Sequence, residues 1–127
     1  MNLEKILFGF FILLALTLNF GFFIGDFDNP DHHDALELFA ALVVSLVATI
    51  LKFGDRTHIG AVLLSTSLVA DLHLIAAAVV WGLAANVSEG GVTSATMASV
   101  VSLSGGALLA NIASVVLLIV ETVNMRR

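Results

Sequence analysis

The chain has 127 residues, of which 59% are hydrophobic and 12% are charged, and its formal net charge is −5. Soluble domains carry roughly 25% charged residues, so this low share and the long apolar runs exclude an ordinary soluble domain and predict an integral membrane protein. There is no cysteine, which excludes disulfides, thiol nucleophiles and cysteine-based metal sites. No polar linker divides the chain, so we expect a single domain over residues 1–127.

The first apolar run, residues 6–24, is about 19 residues long, which is enough to cross a hydrocarbon core of ~30 Å. A short segment charged by Glu4 and Lys5 precedes it. The run is longer than a usual signal-peptide core of about 7–15 residues, and no A-x-A cleavage site follows it. We therefore expect a first span that is retained.

The second span, residues 35–51, lies between two polar connections. The first connection, residues 25–34, reads GDFDNPDHHD and contains Asn29–Pro30, a turn signal. Its Asp residues suit the positive end of the helix that follows. The second connection, residues 52–58, reads KFGDRTH, and such a short link makes the flanking spans antiparallel neighbours.

The third span, residues 59–85, has Trp81 near its far end, where an interfacial indole is expected. A polar, Gly-rich loop leads to the fourth span, residues 97–120, along which small residues recur every four positions. The clearest members of this stripe are Ser102, Gly106, Ala110 and Ser114. Small residues let helix backbones approach closely, so we predict a helix interface here, in the bundle centre or between subunits.

The basic residues all fall on one side of a four-span topology. They are Lys5, Lys52, Arg56, Arg126 and Arg127. The other side has acidic residues and no Lys or Arg, so the positive-inside rule makes both termini cytoplasmic. We predict an all-α, integral membrane four-helix bundle, and the small-residue stripes further predict a symmetric homo-oligomer.

Asp71 lies near the middle of the third span, where a carboxyl group costs roughly 2.5–3.5 kcal/mol on insertion scales. Intramembrane acids usually face a bundle interior or a wet cavity and mark ion or proton pathways. Ser67, one turn away, could donate a hydrogen bond to it, and Asn111 in the fourth span lies at similar depth. Two interpretations stay open: a cation or proton site, or a structural cluster in which Ser67 and Asn111 hold the carboxyl group.

His73 follows Asp71 by two residues, so on an ideal helix it points about 200° away from it. The two side chains cannot pair locally, although they could meet across a subunit interface. We consider two functional roles for His73: a proton-relay residue or a haem ligand. The alternative is a hydrogen-bonded packing residue on a face of mostly small side chains.

The acidic side of the topology carries a cluster that we expect to form an outer vestibule. Its members are Asp26, Asp28, Asp31, Asp34 and Glu37. A negative mouth concentrates cations, and in an oligomer these acids would repeat as a ring. His32 and His33 could add ligands for a divalent ion, although the glycine and the final Glu of a calcium loop are missing. The alternative is a solvated acidic turn that caps the second span.

Three stretches carry a resemblance: LNFGFFIGD (residues 18–26), LKFGDRTHIGAVLL (51–64) and SLVADLHLIAA (67–77). Together they resemble a small, uncharacterised bacterial inner-membrane family of four-helix proteins. The resemblance implies a multi-pass protein of the bacterial inner membrane. It supplies no activity and no site residues.

These features predict a cation or proton channel or transporter formed by a homo-oligomer. Asp71 would be its intramembrane site, with Ser67, Asn111 and His73 along the ion pathway. The alternative is a non-transporting accessory or assembly subunit of a larger membrane transport complex. An enzyme is not expected, because there is no nucleophile–base set and no helical H-x-x-x-H metal pair. We expect lipid around the chain, no cofactor beyond a bound cation, and no nucleic-acid partner.

Overall fold

The computed structural model describes residues 3–26, 28–87 and 89–125, and α-helix dominates these ranges. The helices are α1 (Leu3–Phe23), α2 (Ala35–Lys52), α3 (His58–Asn86) and α4 (Ser94–Met125). One 3-10 turn, Pro30–His32, lies between α1 and α2. The described ranges contain no strand, so the all-α prediction with four helices is confirmed.

Each helix is long and apolar enough to cross a membrane, which makes the chain a multi-pass membrane protein. The helices coincide with the four expected spans and differ from them mainly at the ends. The largest difference is in α4, which begins at Ser94 and continues to Met125, beyond the expected residues 97–120. Helix ends need not coincide with the ends of an apolar run, because polar residues continue the backbone hydrogen bonds past it.

Capping side chains lie at the N-termini of α2 and α3. The Asp34 carboxylate accepts a hydrogen bond from the backbone N–H of Leu36, at 2.9 Å, at the start of α2. The Thr57 hydroxyl accepts one from the N–H of Gly60, at 3.0 Å, at the start of α3. Each cap satisfies a backbone donor that would otherwise have no partner at the helix N-terminus.

The four helices pack in the order in which they follow along the chain. Helix α1 contacts α2 and α4, and helix α3 contacts the same two neighbours. Short connections and antiparallel neighbours give the up-and-down arrangement of a four-helix bundle. Many large apolar side chains remain exposed around its outside, as lipid surroundings require.

Two apolar clusters fill the bundle, one toward each end. The cluster nearer the acidic connections includes Phe22, Leu38, Leu74, Met97, Val100 and Val101. The cluster nearer the basic end includes Phe8, Ile12, Ala48 and Leu63. The polar side chains of the interior lie mainly between them.

Candidate functional site

Asp71 lies inside the bundle, with 4% of its surface exposed, and its carboxylate faces α2. The hydroxyl of Ser45 donates to Oδ1 at 2.6 Å, and the hydroxyl of Thr49 donates to Oδ2 at 2.5 Å. Each carboxylate oxygen therefore has one donor. Because a carboxylate offers about four acceptor positions, roughly half of its capacity remains for another group.

The hydrogen-bond partners of Asp71 differ from those expected from the sequence. Ser67 and Asn111 do not hold its carboxylate, which corrects the structural cluster considered above. The reason is the rotation of α3, which turns Asp71 toward the α2 hydroxyls of Ser45 and Thr49. Those hydroxyls lie four residues apart in the sequence, a spacing that places both on one face of α2.

Ser67 and Asn111 instead have buried polar atoms without a hydrogen-bond partner in the described part of the chain. These atoms are the Ser67 hydroxyl oxygen and both polar atoms of the Asn111 amide. A buried polar group that lacks a partner costs about 1–3 kcal/mol, so such groups call for a physical explanation. A ligand that donates or accepts hydrogen bonds beside these atoms would provide such an explanation.

Two contacts between α3 and α4 fix the depth of these groups. Toward the basic end, the hydroxyls of Thr66 and Ser114 lie 2.6 Å apart. Toward the acidic end, the His73 ring packs against Gly106. The side chains of interest lie between these contacts, within a layer about 10 Å thick at 1.5 Å of rise per residue. We call this the central polar layer, and its members are Ser45, Thr49, Ser67, Asp71 and Asn111.

His73 lies outside the central polar layer, on the opposite side of α3 from the Asp71 carboxylate. Its Nδ1 donates to the backbone carbonyl of Val69 at 2.9 Å. Its ring is so close to Gly106 that a methyl group there would lie 2.5 Å from ring atom Cδ2. Within one chain the structure does not bring His73 and Asp71 together, and the contacts of His73 are those of a packing residue.

The predicted interface stripe of α4 is directed mainly toward α3 of the same chain. Ser114 is buried and contacts Thr66, and Gly106 contacts His73. Ala110 is half-buried, whereas Ser102 is exposed on the outside of the bundle. Three of the four residues thus lie within the protomer, where they let α3 and α4 approach closely.

The basic end of the bundle contains a buried cation that sequence analysis missed. Lys52 is fully buried, with Nζ 3.3 Å from the Asp55 carboxylate and 4.6 Å from the centre of the Phe8 ring. It follows Thr49 by about one turn of α2. In the sequence Lys52 contributes only to the positive-inside rule, because the residues around it do not show that its side chain faces the bundle interior.

Asp55 organises the connection between α2 and α3, outside the spans. Its Oδ1 accepts hydrogen bonds from the hydroxyl and the backbone N–H of Thr57, at 2.7 and 3.0 Å. These two bonds, hydroxyl first, hold the pKa of the Asp55 carboxyl below its ordinary value, although burial acts in the opposite direction. The charge and hydrogen bond of Lys52 lower this pKa further.

The expected vestibule acids lie around the connection between α1 and α2. Asp26, Asp28, Asp31 and Asp34 are exposed, and Glu37 is half-buried. Among the described residues, no three His, Asp or Glu side chains form a group that could hold a metal ion. The two histidines do not share a ligand position, because the His33 ring faces backbone carbonyls and His32 Nδ1 accepts from the Asp26 N–H.

The chain matches a protein-family model over most of its length. Residues 32–122 match a family model described as a family of unknown function (DUF6394). This match confirms the resemblance to a family without a known activity. No curated protein matches the chain, and no solved structure matches it.

Proposed function

We propose that this chain, which belongs to the family of unknown function DUF6394, transports a cation or a proton across the membrane, with Asp71 as the intramembrane binding group. One observation carries the proposal: a buried carboxylate with unused acceptor positions shares the central polar layer with the unpartnered side chains of Ser67 and Asn111. Buried acids in membrane helices are rare and mark ion or proton pathways by default.

The position of Asp71 favours a pathway through the protomer over a pore between protomers. Asp71 faces α2 of its own chain and is 4% exposed, so a pore lined by outer bundle surfaces would not include it. Packed apolar clusters lie on both sides of the central polar layer. We therefore propose transport by alternating access to Asp71 rather than by a permanently open channel.

The remaining parts of the proposal concern the surroundings of the site. Both termini lie in the cytoplasm of a bacterial cell, and the chain resides in the inner membrane as a homo-oligomer in which every protomer has its own site. The exposed carboxylates of Asp26, Asp28, Asp31 and Asp34 attract cations to the outer end. The charge distribution supports this orientation, because the basic residues lie on the opposite side.

A second candidate function is a non-transporting accessory subunit of a larger transport complex. The observation that favours it is the hydrogen bonding of both Asp71 oxygens to α2. In that arrangement the carboxylate locks α2 against α3, and no ion needs to bind. The exposed apolar side chains would then contact the partner.

Ion flux in liposomes that contain the purified protein tests the proposal. Transport predicts uptake of protons, Na⁺ or K⁺ by the wild type and loss of at least about tenfold with Asp71→Asn, because every ion transferred must meet this carboxylate. Glu89→Gln is the matched control, since it neutralises an exposed carboxylate in the α3–α4 loop and should retain the flux. Equal flux in wild type and Asp71→Asn would exclude the proposal.

Ser67→Ala separates the two candidate functions. The variant removes a buried hydroxyl that has no hydrogen-bond partner among the described residues, so the stability of the bundle should stay unchanged or increase. If Ser67 belongs to the pathway, flux should nevertheless fall. No flux for any ion, together with co-purification of a larger membrane complex, would support the accessory subunit instead.

A further inference from the structure

His33 is a buried histidine whose two ring nitrogens both contact backbone carbonyl oxygens. Only 4% of its surface is exposed. Nδ1 lies 2.5 Å from the carbonyl oxygen of Phe22, and Nε2 lies 2.6 Å from the carbonyl oxygen of Asp26. The ring thus bridges the last turn of α1 and the segment that follows it.

The chemistry of these partners determines the protonation of the ring. A carbonyl oxygen can only accept a hydrogen bond, so each ring nitrogen must donate. Neutral imidazole has one N–H, and its other nitrogen would direct a lone pair at a carbonyl lone pair. Only the imidazolium ion, which has two N–H groups, satisfies both contacts.

The surroundings of His33 favour this positive charge. The Phe22 carbonyl belongs to the last turn of α1, where unpaired carbonyls make a helix end partly negative. The other titratable groups of this corner are Asp26, Asp28, Asp31, His32 and Asp34 of the connection, and Glu37 of α2. The neighbouring parts of α3 and α4, residues 74–86 and 94–101, contain no titratable side chain, and the loop between them contributes Glu89.

We propose that His33 is a proton-binding site that clamps the α1–α2 corner as an imidazolium ion. As an imidazolium ion the ring donates to both carbonyl oxygens at once, and it thereby ties the end of α1 to the connection that leads to α2. This inference stands apart from transport, because it concerns the acidic end of the bundle and not Asp71.

The clamp also reaches α3 through aromatic contacts. The His33 and Phe22 rings lie 5.4 Å apart between centroids, and the Phe22 and Trp81 rings lie 6.1 Å apart. Phe22 is fully buried between them. Loss of the clamp therefore changes the packing around Trp81, which is the one tryptophan of the chain and a fluorescent reporter.

Nitrogen NMR of the histidine rings tests the protonation directly in the unmodified protein. Protein labelled with ¹⁵N-histidine and reconstituted in lipid should show both His33 nitrogens protonated and similar in shift at pH 6–7. His33→Gln identifies the signals by their loss. A neutral His33 tautomer at that pH, with one nitrogen bare and strongly shifted, would overturn the proposal even if transport were intact.

Trp81 fluorescence then tests the clamp. At pH 6–7 the Trp81 emission of His33→Gln should be shifted from that of the wild type, because the variant loses the two contacts that hold the ring against Phe22. His32→Gln, the matched control for an exposed neighbouring histidine, should leave the emission at its wild-type position. Equal emission in the wild type and His33→Gln, or an equal shift in His32→Gln, would contradict the clamp.

Discussion

At the scale of single residues, the buried side chains of Asp71 and Lys52 do not pair with each other. The Asp71 carboxylate is held by the hydroxyls of Ser45 and Thr49, and the Lys52 ammonium is held by Asp55 and the Phe8 ring. Hydroxyl donors satisfy a carboxylate without neutralising its charge. The proposed transport requires Asp71 to exchange a proton or a cation, which a direct ion pair with Lys52 would prevent.

The pH dependence of stability is a prediction for one residue, Asp55. Because its folded-state pKa is lowered, the ionised carboxylate stabilises the fold fully above its ordinary pKa of 3.8. This contribution is lost as the pH falls below 3.8 toward the lowered value. We expect the difference in thermal unfolding temperature between wild type and Asp55→Asn, measured in detergent, to be constant above about pH 5 and to shrink at lower pH.

Thr57→Ala provides the companion measurement for Asp55. It removes the hydroxyl that lowers the Asp55 pKa most, so the pH-dependent loss of stability should be smaller than in the wild type and should be complete at a higher pH. A difference between wild type and Asp55→Asn that grew as the pH fell would contradict this assignment.

At the scale of helices, the contact between α3 and α4 depends on the absence of a side chain at Gly106. His73 occupies the space in which a Cβ atom would lie. On the other side of α3, Asp71 contacts α2, so the same helix is held by a close approach on one face and by hydrogen bonds on the other. The rotation of α3 about its axis is thereby determined by both neighbours.

Gly106→Ala should therefore destabilise the bundle by about 1–3 kcal/mol, because the added methyl group overpacks the contact with His73. Gly82→Ala is the matched control, since nothing lies within 4 Å of its Cβ position. There the better helix propensity of alanine should leave stability unchanged or raise it by up to about 1 kcal/mol. Equal unfolding midpoints for the two variants in detergent would show that the close approach does not matter.

At the scale of the whole molecule, charge separates the two ends of the bundle. The basic end contains Lys5, paired with Glu121 at 2.9 Å, and Lys52, paired with Asp55. The other end contains the acidic connection and the buried ring of His33. Such an asymmetry orients the chain during insertion and gives each end of the proposed pathway a different attraction for cations.

The proposed orientation predicts which end meets the outside of the cell. Because the chain has no cysteine, Asp31→Cys and Arg56→Cys each introduce a single reactive thiol on an exposed residue. A membrane-impermeant maleimide should label Asp31→Cys in intact spheroplasts, and Arg56→Cys only after permeabilisation. The reverse pattern would place both termini outside and reject the proposed topology.

The sequence alone determined the properties that depend on local composition: four apolar helices, their approximate bounds, the membrane environment and the kinship with an uncharacterised family. Length and hydropathy decide these features before any helix packs. The tertiary structure alone decided that Asp71 bonds to Ser45 and Thr49, that Lys52 is buried, and that both nitrogens of His33 meet carbonyl oxygens. These features depend on how each helix is rotated about its axis, and packing between segments distant in the chain sets that rotation.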